Sequence, residues 1–135
     1  RYTDYHRKLV ATGLINRAAM NYIDRNREEL KKEYKRFAKY EEQFETGDEI
    51  LSDLRSLADA EKIAFDEAQY TRSLPLIRLQ LKALIARDLF DMTEYFQIIN
   101  TANDSYVEAL RILNDPARYA RILGQTQEKP DDTDS

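Results

Sequence analysis

The chain has 135 residues, 34% of them charged, with no cysteine, a single histidine and a formal net charge of −4. That length suits one domain with its own core, the lack of cysteine excludes disulfides and thiol chemistry, and no apolar run approaches the roughly 20 residues of a membrane-spanning helix. The charge is divided: residues 1–40 sum to +6 (eleven positive, five negative) and residues 41–70 to −8 (two positive, ten negative), so the two segments are expected to lie side by side and neutralise each other.

Helix follows helix along the chain, since strong helix formers dominate and no stretch alternates with a period of two. Thr3 and Asp4 provide caps for a first helix to about Ala11, and Thr12 with Gly13 breaks it. From Leu14, the stripe Ile15, Ala19, Tyr22, Ile23, Asn26, Leu30, Tyr34 and Phe37 predicts a long amphipathic helix ending near Lys32, with a restart before Tyr40. Thr46-Gly-Asp-Glu49 has the form of a capping box and opens a helix to about Lys62. Asp66 with Gln69 repeats the arrangement. Pro75 then requires either a start at Ser73 or a longer helix from Asp66 kinked at the proline, and the second is favoured.

Ile77, Leu81, Leu84, Ile85, Leu89, Met92, Tyr95, Phe96 and Ile99 form one broad arc over about residues 74–99. The arc is too wide for a coiled-coil seam, so this helix is expected to be central, with a division at the second capping box Asp91-Met-Thr-Glu94 as the alternative. Asp88 projects into the arc and is expected to be held by Arg87, Arg78 or a Tyr hydroxyl. Asn103 and Asp104, then Asp115 and Pro116, open two further helices ending at Gly124, and residues 125–135 have no apolar anchor. The expected fold class is all-α: an irregular multi-helix array around a central long helix, with one helical domain at 1–124 and a disordered acidic tail at 125–135.

Chemistry-bearing motifs are scarce. His6 has no carboxylate cluster beside it and is expected to be a solvated surface histidine, so no catalytic, metal or cofactor-binding residue is assigned. Ser52, Ser56, Ser73 and Ser105 sit in helical or capping contexts without a base fixed nearby. The adjacent carboxylates Glu28–Glu29, Glu41–Glu42 and Asp48–Glu49 point to different faces of their helices. The basic segment 25–39, with Tyr34 and Phe37 between its charges, is the one feature that suggests nucleic acid, but the chain is acidic overall and those aromatics have helix-core spacing, so nucleic acid is not an expected partner.

The segment QLKALIARDLFDMTEYFQIIN at residues 80–100 resembles the carboxy-terminal helical region of bacterial carboxy-terminal processing (tail-specific) peptidases of the S41 family, particularly the long Bacteroidetes forms. The similarity extends to GLINRAAMNYIDRNREELKKEY at 13–34, FETGDEIL at 44–51 and EALRILND at 108–115, and is most specific at Leu81 to Leu89. The resemblance implies a parent serine peptidase in the periplasm or cell envelope, in which a PDZ domain reads substrate carboxy-termini and a core uses a serine nucleophile with a lysine base. Neither part matches this chain. Ser56 and Lys82 lack the strand-and-turn setting of that dyad, so no catalytic residue carries over and the chain alone is not expected to be an enzyme.

The implied partners are the peptidase core and PDZ domain of the same parent, with a homo-oligomer left open; an independent helical interaction module is the alternative. Arg87 and Asp88 match the family's pattern, and the apolar arc assigns them a structural role. Arg25 and Lys32, on the basic helix that would lead out of the core, are the candidate contacts. The first residue is Arg1 rather than Met, as expected of a processed product or a portion of a longer chain.

Overall fold

Residues 2–101 are described by the computed structural model, and among them every regular element is a helix. They run α1 (Asp4–Ala11), α2 (Leu14–Glu33), α3 (Phe37–Gln43), α4 (Asp48–Ala60) and α5 (Glu67–Leu89), followed by α6, described over 92–101. Residues to Ile99 form one compact unit. The expected helices after Asn103 and the tail 125–135 lie outside the described residues.

Local signals set most of the ends. Thr3 caps α1 by accepting from the His6 backbone N–H at 3.1 Å, and Gly13 turns the chain into α2 with φ at 73°, a left-handed conformation that costs glycine little. At the end of α4, Lys62 takes the left-handed position (φ 61°) while Ile63 N–H reaches the Ala58 carbonyl and Lys62 N–H the Asp59 carbonyl, each at 3.0 Å. That is a Schellman termination with lysine where glycine is usual. Asp66 caps α5 by accepting from Gln69 N–H at 3.0 Å, so the longer of the two alternatives holds and α5 runs through Pro75.

Three features differ from the favoured expectation, the first because a partner distant in sequence competes with a local one and the other two through local bonds. The capping box at Thr46 does not form: α4 has Gly47 at its cap without a side-chain bond, while Thr46, 3% exposed, donates its hydroxyl to the Arg78 carbonyl at 2.9 Å and receives the Arg78 guanidinium on its own carbonyl at 2.9 Å. The long helix stops at Leu89 instead of Ile99. Phe90 leaves the helical region (φ −124°, ψ −97°), and Asp91 restarts the chain by accepting from Met92 N–H at 2.7 Å, so the arc ends there and Met92 and Phe96 are 43% and 51% exposed. Finally, α2 bends at Asn26 (φ −124°, ψ 16°), whose amide donates to the Tyr22 carbonyl at 3.0 Å; a side chain inserted into the backbone ladder is a recognised cause of a kink.

The core lies between α1, α2, α4 and α5. Ile77, Leu81 and Ile85 of α5 are 0% exposed, as are Ile23 of α2 and Leu9 of α1, with Leu54 of α4 at 1%. Helix α2 packs against α1, α4 and α5, so it shares the central place with α5. Leu84, on the predicted arc, is only half-buried, and Ala83 and Ala86 are buried in its stead; small residues at 83 and 86 allow close approach of a neighbouring backbone. The short α3 is held by rings: Tyr40 stacks on Phe44 at 4.8 Å and meets Tyr34 edge-on at 5.3 Å, and Phe37 meets Phe90 at 5.5 Å.

Candidate functional site

Three of the four candidate residues, Arg25, Arg87 and Asp88, fall on two seams between helices, and Lys32 lies exposed on α2. On the seam of α2 with α4, Arg25 Nε donates to Glu49 Oε2 at 3.0 Å and its Nη1 lies 3.8 Å from Asp53, to which Asn21 also donates at 3.5 Å. The Asn26 amide at the bend adds a 3.4 Å contact to the same Glu49 oxygen. Glu49 therefore faces the basic helix instead of reaching back to its own amino end. Among the described ion pairs, those from Arg25 carry the expected neutralisation of the basic segment by the acidic one.

On the seam of α2 with α5, Asp88 receives Arg27 Nη1 at 2.8 Å, with the two side chains 29% and 42% exposed. None of the expected partners holds it. Arg78 is turned to Thr46, and Arg87 Nη2 donates to Asn16 Oδ1 at 3.1 Å. A position in the last turn of a helix that stops at Leu89 puts Asp88 at a boundary, where a residue 61 positions away reaches it. Arg27 also lies 3.6 Å from Asp24. Lys32 is exposed near the end of α2 and borders a depression of about 420 Å³ along that helix, shared with Asp24, Arg25, Arg27, Glu28 and Glu29. Its walls carry both signs of charge, and two of its three cations are already paired.

A second cleft, about 170 Å³, lies where the Phe44–Thr46 connection crosses α5 at Pro75, Arg78, Leu79 and Lys82. Both of its cations donate to backbone carbonyls. Lys82 Nζ donates to the Glu41 carbonyl at 2.6 Å and lies 5.9 Å from the Tyr40 ring centre; partial burial pulls its pKa down, against the nearby Glu41 and Glu45. Tyr40, 0% exposed, donates its hydroxyl to the Lys82 carbonyl at 2.6 Å, and burial pushes its pKa well up. Ser56 is exposed on α4, while Lys82 is committed to α3. Tyr34 and Phe37 face the ring cluster around Tyr40 and Phe90 and are half-buried, so their faces are not presented outward as base-stacking platforms.

His6 is the residue that sequence reasoning misplaced. It is 0% exposed, not solvated; its Nε2 donates to Gln80 Oε1 at 2.8 Å and its ring stacks on Tyr2 at 4.2 Å. One signal for this existed, because His6 is one residue from Tyr5 and three from Leu9, the two apolar anchors of α1. Among the described residues no group of three or more His, Asp or Glu is arranged to hold a metal ion, and no helix is long and apolar enough to cross a membrane. What the arrangement does chemically is to fasten helices together with polar groups at the rim of an apolar core.

No curated protein and no solved structure matches the chain. The family of unknown function DUF8443 matches residues 5–91, the span from α1 through α5 and the turn that ends it, and the chain belongs to that family.

Proposed function

We propose that this chain is the non-catalytic helical domain of a carboxy-terminal processing serine peptidase of the S41 family, and that it supports, regulates or assembles the peptidase core of its parent in the periplasm or cell envelope. The observation that carries the reading is the resemblance of residues 80–100. The geometry is consistent with it in one respect: in the most specific stretch, Leu81, Ala83, Ile85 and Ala86 enter the core, while Lys82, Arg87 and Asp88 bind α3 and α2. These residues therefore build a scaffold.

Two measurements test the proposal. The coding sequence upstream of residue 1 is expected to encode a PDZ domain and a Ser/Lys core, and an unrelated upstream region removes the basis of the reading. The separately made core is expected to bind this chain saturably, more weakly for Lys32→Glu; absence of binding at about 100 μM, weaker than roughly −5.5 kcal/mol, argues against docking through the α2 face. Arg25→Glu is unsuitable as a probe, since it would set a third carboxylate beside Glu49 and Asp53 and disturb the α2–α4 seam itself. An independent helical interaction module is the second reading, favoured by Met92 and Phe96, which are exposed one turn apart on α6.

A further inference from the structure

Helix α1 has eight residues, too few to stand alone; besides its buried apolar anchors Tyr5 and Leu9, polar groups on α5 bond to it. Tyr5 N–H donates to Gln69 Oε1 at 2.7 Å, the hydroxyls of Thr3 and Ser73 share a hydrogen bond of 2.7 Å, and His6 Nε2–H donates to Gln80 Oε1 at 2.8 Å. Gln80 in turn donates its amide to the Tyr2 hydroxyl at 2.6 Å, and Tyr2 stacks on His6 with the rings 15° from parallel. Tyr2, His6 and Gln80 thus close a ring around a histidine that is 0% exposed.

In that ring one nitrogen is left over. With Nε2 as the donor the neutral imidazole carries its lone pair on Nδ1, which is buried and has no hydrogen-bond partner. Protonation would place a charged N–H there with no acceptor, and a charge removed from water without a partner is strongly disfavoured. Tyr2 is the titratable group in direct contact with the ring. The charged residues on the helices around it, Asp4, Arg7 and Lys8 of α1, Arg17 of α2, and Glu67, Arg72 and Arg78 of α5, are all exposed, and Lys82, half-buried on α5, is turned to α3. Burial consequently lowers the His6 pKa below 6.5, with the Gln80 bond opposing it.

We propose that α1 is an acid-released strap: protonation of His6 at Nδ1 frees α1 from α5 about the Thr12–Gly13 joint, while the core of α2, α4 and α5 stays folded. The joint is suited to this because Gly13 already occupies the left-handed region with no neighbour within 4 Å of where a side chain would begin. The remaining core, with Ile23, Ile50, Leu54, Ile77, Leu81 and Ile85 at 1% exposure or less, is supplied without α1.

The direction follows from linkage. Above pH 6.5 both closed and released forms carry a neutral imidazole. Below it the released form takes up a proton that the closed form does not, so the released population rises by up to about tenfold per pH unit until the lowered pKa of the closed form is reached.

Hydrogen exchange of the 135-residue chain at pH 7.5, 6.5 and 5.5, corrected for intrinsic rates, tests the strap. Protection of the α1 amides at Leu9 to Ala11 is expected to fall by up to about fivefold between pH 6.5 and 5.5, with the α4 amides unchanged, and His6→Gln is expected to abolish that pH dependence. Simultaneous loss in α1 and α4, or an unchanged pH dependence in His6→Gln, overturns the proposal. Because His6 is the single histidine, its ring resonances give a readout that needs no variant: a midpoint well below 6.5 is expected, and one at or above 6.5 refutes the strap.

Discussion

The Arg27–Asp88 pair measures what the contact between α2 and the end of α5 is worth. Read from the sequence alone, a carboxylate inside an apolar arc predicts a loss of about 1–3 kcal/mol for Asp88→Ala, the cost of stranding a buried partner. The structure lowers that figure. The pair is one hydrogen bond of 2.8 Å between side chains 42% and 29% exposed. At that separation the attraction in a water-like dielectric is about 1.5 kcal/mol, and ordering two side chains reduces the net coupling to about 0.5–1 kcal/mol. Asp88 also stands in the last turn of α5, where the helix dipole disfavours a carboxylate by about 0.3–1 kcal/mol. These terms nearly cancel, so Asp88→Ala is expected to shift stability by no more than about 0.5 kcal/mol. Arg27 is not stranded by the change, because Asp24 remains at 3.6 Å. Urea denaturation of the parent, Asp88→Ala, Arg27→Ala and the double variant closes a thermodynamic cycle. A coupling of about 0.5–1 kcal/mol that shrinks in 1 M NaCl is expected, whereas a coupling above about 2 kcal/mol, or one indifferent to salt, would refute the boundary placement and restore the buried-carboxylate reading.

Leu81→Ala is expected to cost about 2–5 kcal/mol in the same assay, because it empties a fully buried leucine site; half-buried Leu84→Ala should cost clearly less, and equal losses would contradict the orientation of α5. Thr46→Val removes the hydroxyl held by the Arg78 carbonyl and is expected to cost about 0.5–1.5 kcal/mol. It should leave exchange protection in the first turn of α4 unchanged, whereas selective fraying there would mean that Thr46 caps α4 after all.

Arrangements that depend on residues within a few positions of one another were legible in the sequence. The all-α class, the Thr3 cap, the break at Thr12–Gly13, the span of α2, the restart before Tyr40 and the Asp66 cap of α5 are all of that kind, since helix periodicity and capping act within one or two turns. Where two local signals competed, the sequence held both: Asp91 could begin a helix or lie within one, and the broad apolar arc favoured the wrong outcome over its last third. The placement of polar side chains other than these caps was decided by tertiary structure. Thr46 has a local role open to it as a cap and a distant one at Arg78, and the distant one prevails because its hydroxyl is buried and must be satisfied there. Glu49 turns from Thr46 to Arg25, Asp88 from its own helix to Arg27, and His6 from solvent to Gln80. In each case the partner lies 24 to 74 positions away, so its identity is set only when apolar burial brings the helices together and places the two groups within reach.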